Sequence, residues 1–201
     1  VAQVYKKVDG RWVEQDFELI GDPNTKYIRK GEGTPIRTLV TQKLIPSTYQ
    51  LSNTSYLTIA DANNMYNDTD STTYARITHN RAATTAYYLY VRGFNFSSIP
   101  ADAEIESFTI RFKANESGLS TDTTYAPTLV NNTTQVAGSA NVITTSVATT
   151  QFTGITATWD TIKNYGNNFG IRFPLRRSTT NTSGYLNLYG AEIEVSYYVE
   201  V

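Results

Sequence analysis

Strict alternation along three segments constrains this chain more than any other feature. Phe108, Ile110 and Phe112 alternate with Thr109, Arg111 and Lys113. Phe169, Ile171 and Phe173 alternate with Gly170, Arg172 and Pro174, and Ala191, Ile193, Val195 and Tyr197 alternate with Glu192, Glu194, Ser196 and Tyr198. Successive side chains of a strand point to opposite faces, so a period of two gives each segment one buried and one wet face. Such segments hide their apolar sides by stacking sheet on sheet. Candidate strands lie at 56–59, 73–78, 85–94, 104–114, 126–130, 142–147, 154–158, 169–175 and 186–199, separated by Gly, Asn, Ser and Pro turns. The expected class is all-β, a two-sheet antiparallel jelly-roll-like β-sandwich.

Departures from the alternation add detail. The last strand begins in the opposite phase, with Leu186 and Leu188, and the switch at Tyr189-Gly190 predicts a bulge at Gly190. Residues 87–91 do not alternate, as expected of a strand covered on both faces. One short helix is expected over 161–165, with Asp160 as its cap.

The opening stretch VAQVYKKVDGRWVEQ alternates on either side of Asp9-Gly10, a type I′ hairpin signal. A lone hairpin is marginal in water, so Tyr5, Trp12 and Val13 need covering, either by the chain's own sandwich or by neighbouring subunits. From 20 to 49 the texture is turn-rich, with GDPN, GEGTP and IPST between short apolar fragments and with Lys26, Arg29, Lys30, Arg37 and Lys43. That stretch reads either as a solvated linker or as an arm that docks on an acidic partner. The expected division is 1–48 as hairpin and docking arm and 49–201 as the sandwich.

Composition excludes several function classes. A formal charge of −1 provides no field to gather phosphates, so nucleic acid is not an expected partner. No apolar run approaches the length of a membrane span or a signal peptide, and neither is expected. With no Cys, disulfides, thiolate nucleophiles and Cys-based metal sites are all removed. The single His79 rules out a zinc site of the usual kind, and a Ser-His-Asp triad would have to be built on it without a Gly-x-Ser-x-Gly elbow. Glu104/Glu106 and Glu192/Glu194 are carboxylate pairs at i,i+2, which places each on a solvated strand face rather than across a sugar. No catalytic residue is assigned and no enzyme is expected. Sequons at Asn53, Asn67, Asn95, Asn115 and Asn181 follow from a composition rich in Asn and Thr.

Two sets of residues are candidates for binding. In ADANNMYNDTDSTTY, Asp61, Asp68 and Asp70 sit among Asn63, Asn64 and Asn67, an oxygen-rich run that either ligates calcium or makes Asx turns. No other cofactor is expected. Tyr66, Tyr74, Tyr125, Tyr165 and Tyr185 lie in or near loops, where a phenol ring stacks on a sugar or packs against its own fold.

Three stretches taken together, LYVRGFNFSSIPADAEIESFTIRFKAN, ATWDTIKNYGNNFGIRFPL and GYLNLYGAEIEVSYYVEV, carry a resemblance. Ile99-Pro100, Ala103 and Ile105, then Trp159, then Phe169-Gly170-Ile171-Arg172, then Tyr189-Gly190-Ala191 fall in the order seen in jelly-roll modules of bacteriophage structural proteins and some bacterial surface proteins. The opening hairpin is similar to N-terminal openings of phage virion proteins. The resemblance covers most of the chain through framework residues, Trp159 among them, and transfers no binding site. It implies a non-enzymatic protein on the virion surface, partnered by other virion proteins and by itself. Its arm would dock and its sandwich would display a face to host-surface glycans, as a tail or fibre component. A capsid decoration or head-fibre protein, and a carbohydrate-binding module of a bacterial surface protein, stand as alternatives.

Overall fold

The computed structural model describes residues 4–8, 11–15, 27–28, 37–80, 86–119, 123–177 and 184–200. Its strands run β1 Val4–Val8, β2 Arg11–Gln15, β3 Tyr27–Ile28, β4 Arg37–Leu44, β5 Thr48–Leu51, β6 Leu57–Ala60, β7 Ala75–His79, β8 Tyr87–Arg92 and β9 Glu104–Ser117. They continue as β10 Thr128–Asn131, β11 Thr134–Gln135, β12 Ala148–Gln151, β13 Phe169–Leu175 and β14 Gly184–Glu200, with one helix, α1 Trp159–Tyr165, between β12 and β13.

β1 and β2 pair antiparallel from Val4↔Gln15 to Val8↔Arg11, as the alternation predicts. Asp9-Gly10 and the arm residues Lys26, Arg29 and Lys30 lie outside the described residues, as do the side-chain surroundings of Tyr5, Trp12 and Val13.

The remaining strands form two antiparallel sheets. One has the order β11-β10-β13-β8-β5; the other is seven-stranded, with the path β12-β9-β14-β4-β3 and with β7 paired to β14 and β6 to β7. From β4 onward the chain changes sheet at most connections, so neighbours in sequence face each other across the core. This is the jelly-roll-like sandwich expected from the alternation.

β14 is the spine of the larger sheet. β9 lies along one side of it, from Tyr185↔Ser117 to Tyr198↔Glu104. Its other side is shared: β7 pairs with Gly184 to Leu188, and β4 with Ile193 to Glu200. The register slips between Leu188 and Gly190, so the phase change is the predicted bulge.

The inward phases meet as anticipated. Ile110, Phe112, Phe169, Ile171, Phe173, Ala191, Ile193 and Val195 are all buried. The Phe112 and Phe173 rings meet edge to face at 5.2 Å, joining β9 to β13 across the core. Trp159 closes one end against Phe96 and Phe108, at 5.6 and 5.8 Å. Each such ring contributes about 1.5–3 kcal/mol by leaving water.

Four expectations are corrected. Residues 37–44, read as part of an arm, are a strand in full register with β14, so a boundary after residue 48 does not separate arm from sandwich. Polar and apolar residues mix on both faces of RTLVTQKL, which hides the period of two; only Leu44 is buried and Val40 packs on the core. Residues 142–147 and 154–158 are not strands. The first lies beside β9 through Glu116 N–H to Thr144 O at 2.8 Å, with Val147 exposed, and the edge strand forms one step later as β12. The second holds Gly154 at positive φ and ends in Thr158, whose hydroxyl accepts from Thr161 N–H at 3.3 Å. Thr158 is therefore the cap of α1, and Asp160 lies within its first turn.

Candidate functional site

One end of the sandwich opens into a cleft of about 900 Å³. Four separate stretches build it: the three-residue link between β4 and β5 (Ile45, Pro46, Ser47), the segment after β8 (residues 93–97), the end of α1 (Lys163, Gly166, Asn167), and Tyr66. Its floor is the outermost layer of the core, Phe94 and Phe96, both buried.

Local backbone chemistry fixes the mouth. Gly93 has φ +77, and a Cβ there would stand 2.4 Å from Ser47 Oγ. Glycine lets the two loops touch, and Ser47 Oγ donates to Gly93 O at 2.8 Å while Ser47 N–H donates to Arg92 O at 3.0 Å. Ile45 (43% exposed) and Tyr49 (38%) are two of the three most exposed large apolar side chains among the described residues. Tyr49 lies 6.5 Å from Tyr66, ring to ring. Burial, helped by the nearby Tyr49 phenol, raises the Tyr66 phenol above its usual range, so it remains a neutral donor. Asn95, Ser97, Asn167 and Lys163 supply the polar rim.

The three aspartates of the acidic run face different neighbours. Asp61 begins a turn at left-handed φ 54 and stands in a shallow dip with Ala62, Asn63 and Asn64. Asp68 and Asp70 turn instead toward Lys43 of β4, whose Nζ lies 3.5 Å from Asp68 Oδ2, 2.7 Å from Asp70 Oδ2 and 3.4 Å from Glu192 Oε2. The hydrogen bond to Asp70, then the Glu192 and Asp68 charges, raise the Lys43 ammonium pKa against the opposing effect of burial. The same hydrogen bond lowers the Asp70 carboxyl. Among the described residues no three His, Cys, Asp or Glu side chains converge as metal ligands. The cation at this spot is the protein's own ammonium.

Glu192 corrects the expected solvated face. It points outward from β14, yet its side chain is 1% exposed because the loop after Asp61 covers it. Thr69 N–H donates to Glu192 Oε2 at 3.1 Å, and Arg111 Nη2 lies 3.0 Å from Glu192 Oε1 and 2.6 Å from Glu194 Oε2. The loop sits in the gap that β7 and β4 leave on β14: Ala191 N–H donates to Asn67 O at 3.1 Å, and a Cβ on Gly190 would be 2.2 Å from Asp68 O. Of the other acids, Glu104 is paired with Arg37 and Glu106 is exposed. His79 ends β7 fully buried, 5.6 Å from the Tyr87 ring.

The five candidate tyrosines do not form one face. Tyr66 lines the end cleft. Tyr165 stacks on Phe169 at 6.4 Å, a packing role near that cleft. Tyr74 and Tyr185 share Arg76, whose guanidinium carbon lies 5.4 and 4.3 Å from their ring centres, on the outer face of the seven-stranded sheet. Tyr125 receives a hydrogen bond from Arg176 Nη1 at 2.6 Å, on the outer side of the other sheet.

Sequence reasoning missed Ile45, Tyr49, Asn95, Ser97, Lys163 and Asn167. They belong to three segments brought together only by the crossings between sheets, so no local spacing marks them. Comparison with protein-family models, with curated proteins and with solved structures finds no match to this chain.

Proposed function

We propose that this chain is a non-enzymatic binding protein of a virion surface, whose sandwich recognises a host-surface glycan in the end cleft and whose N-terminal segment docks it to its assembly. The observation that supports glycan recognition is the composition of the cleft. An apolar floor and the Tyr66 ring match the C–H face of a sugar, while Asn95, Ser97, Asn167 and Lys163 around them match its hydroxyls. A volume near 900 Å³ is that of an extended ligand rather than a single small group. The virion setting rests on the framework resemblance through Ile99-Pro100, Trp159 and Tyr189-Gly190-Ala191.

A glycan array probed with the whole chain tests the reading. Binding to a defined set of oligosaccharides, lost in Tyr66→Ala and weakened in Asn95→Ala, is the expected result; an array without signal, or one unchanged by both variants, contradicts it. Immunogold labelling of purified particles tests the setting, with label on tail or fibre expected. Label over the shell would make it a decoration protein, and unlabelled particles would leave a free carbohydrate-binding module.

A further inference from the structure

On the outer face of the five-stranded sheet lies a second groove, of about 360 Å³, between β8, β13, residues 124–128 and residues 138–140. It shares no lining residue with the end cleft. We propose that this groove is a separate binding site for a sugar ring bearing a carboxylate, read by the guanidinium of Arg172.

The placement follows from register. Leu89 and Val91 of β8 and Ile171 and Phe173 of β13 point into the core, so Tyr88 and Arg172 point out. Arg172 is held from two directions. Its Nε donates to Thr128 Oγ1 at 3.0 Å, from the neighbouring strand β10, and its guanidinium carbon lies 5.1 Å from the centre of the Tyr88 ring. With Nε engaged and the plane resting on a ring, the remaining edge, Nη1 and Nη2, has no hydrogen bond or ion pair among the described residues. That edge is a planar fork of two parallel donors, the geometry that receives both oxygens of a carboxylate.

The surroundings add charge and shape. Arg176 stands beside the groove with its Nη1 on the Tyr125 hydroxyl and its guanidinium 5.1 Å from that ring, so among the described residues a second positive charge is held by a tyrosine rather than by an acid. Among the described residues no Asp or Glu lines the groove. Tyr125 offers an aromatic wall, and Gln135 and Ser139 offer an amide and a hydroxyl, partners for a ring that carries hydroxyls as well as the carboxylate. The volume falls in the ordinary range for small-ligand sites, roughly 300–1,000 Å³.

Titration of the full chain by calorimetry, with glucuronic acid and with N-acetylneuraminic acid as probes, tests this. Glucose serves as the neutral ring and inorganic sulfate as the plain anion. Both or one of the acids should bind, with glucose and sulfate at least tenfold weaker; whichever acid binds better names the source of the carboxylate. Arg172→Gln should weaken acid binding at least tenfold, and Arg172→Lys, which keeps the charge and loses the fork, by several-fold. Ala140→Glu leaves the arginine stack untouched, puts a carboxylate in the groove wall and should abolish binding, whereas Ala140→Gln should not. Equal binding of glucose or of sulfate, acid binding that survives Arg172→Gln, or no binding of either acid would overturn the proposal. Tyr66→Ala and Asn95→Ala should leave this titration unchanged, so the end-cleft reading fails or stands separately.

Discussion

Beside the covering loop of the seven-stranded sheet the cations are held by acids, whereas the arginines on the outer face of the five-stranded sheet, like Arg76 farther along the larger sheet, are held by tyrosine rings. On the seven-stranded sheet Arg111 is neutralised by Glu192 and Glu194, and Lys43 by Asp68, Asp70 and Glu192, beneath a loop that excludes water from Glu192. On the five-stranded sheet Arg92, Arg172 and Arg176 rest on Tyr90, Tyr88 and Tyr125, and none makes an ion pair among the described residues. A buried acid commits its cationic partners to holding the fold, because removing either side leaves an uncompensated charge. A tyrosine ring fixes a guanidinium's plane while leaving its charge unspent. The covered part of one face is therefore a clasp, while the other leaves its guanidinium groups without an acid partner among the described residues.

The comparison can be broken at several points, and the largest effect lies at β4, which supplies Lys43 to the clasp. A fragment starting at residue 49 loses that strand and bares β14 from Ile193 to Glu200; it should fail to give a cooperative thermal melt, while a fragment starting at 37 should give one. Glu192→Ala comes next, leaving Arg111 and Lys43 without their shared carboxylate, and should cost about 3 kcal/mol in denaturant unfolding. Gly190→Ala drives a methyl group into the Asp68 and Asn67 carbonyls and should cost about 2 kcal/mol by forcing the covering loop off the strand. Arg172→Gln, on the opposite face, should cost under about 1 kcal/mol, the scale of an exposed cation–π contact. A loss there as large as that of Glu192→Ala would make both faces clasps.

The smallest effect is in pH dependence, and its sign differs between two carboxylates of the larger sheet. The Asp70 carboxyl is lowered by its hydrogen bond from Lys43, so its contribution is present above the ordinary carboxylate range and is lost as pH falls through its folded-state value. Glu116, buried on β9, is raised by desolvation against a hydrogen bond from Leu119 N–H at 2.8 Å. Its folded state holds the proton more tightly, so that contribution is complete below the ordinary range and is lost as pH rises through the folded value. Glu116→Gln keeps an acceptor for Leu119 and should raise the melting temperature at pH 7 by roughly one or two degrees, the equivalent of ~0.5 kcal/mol, with no gain near pH 3. An equal gain at both pH values would remove desolvation as its cause.

Much of the fold was legible because the inward faces of β9 and β13 alternate without interruption. β13 has the predicted limits, 169–175, and the bulge at Gly190 could be read from the change of phase alone. The same rule misplaced Glu192: alternation reports which face a residue takes, and a covering loop then decides whether that face is wet. β4 was hidden by its mixed faces, and 142–147 looked like a strand because Val and Ile recur there without a partner strand to bury them. The end cleft had no sequence signature, since residues near 46, 66, 95 and 166 meet only after the chain has crossed between sheets. Arg172 sat in plain view on the outward phase of β13, but Tyr88 lay in a stretch without alternation, and their stacking depends on the β8–β13 register.

The most direct measurement is chemical-shift mapping of the full chain with the oligosaccharide that binds best on the array. Shifts confined to residues 45–47, 66, 93–97 and 163–167, saturating with a single dissociation constant and absent in Tyr66→Ala, are the predicted result. Shifts that cluster elsewhere and leave those four segments still would contradict glycan recognition by the end cleft.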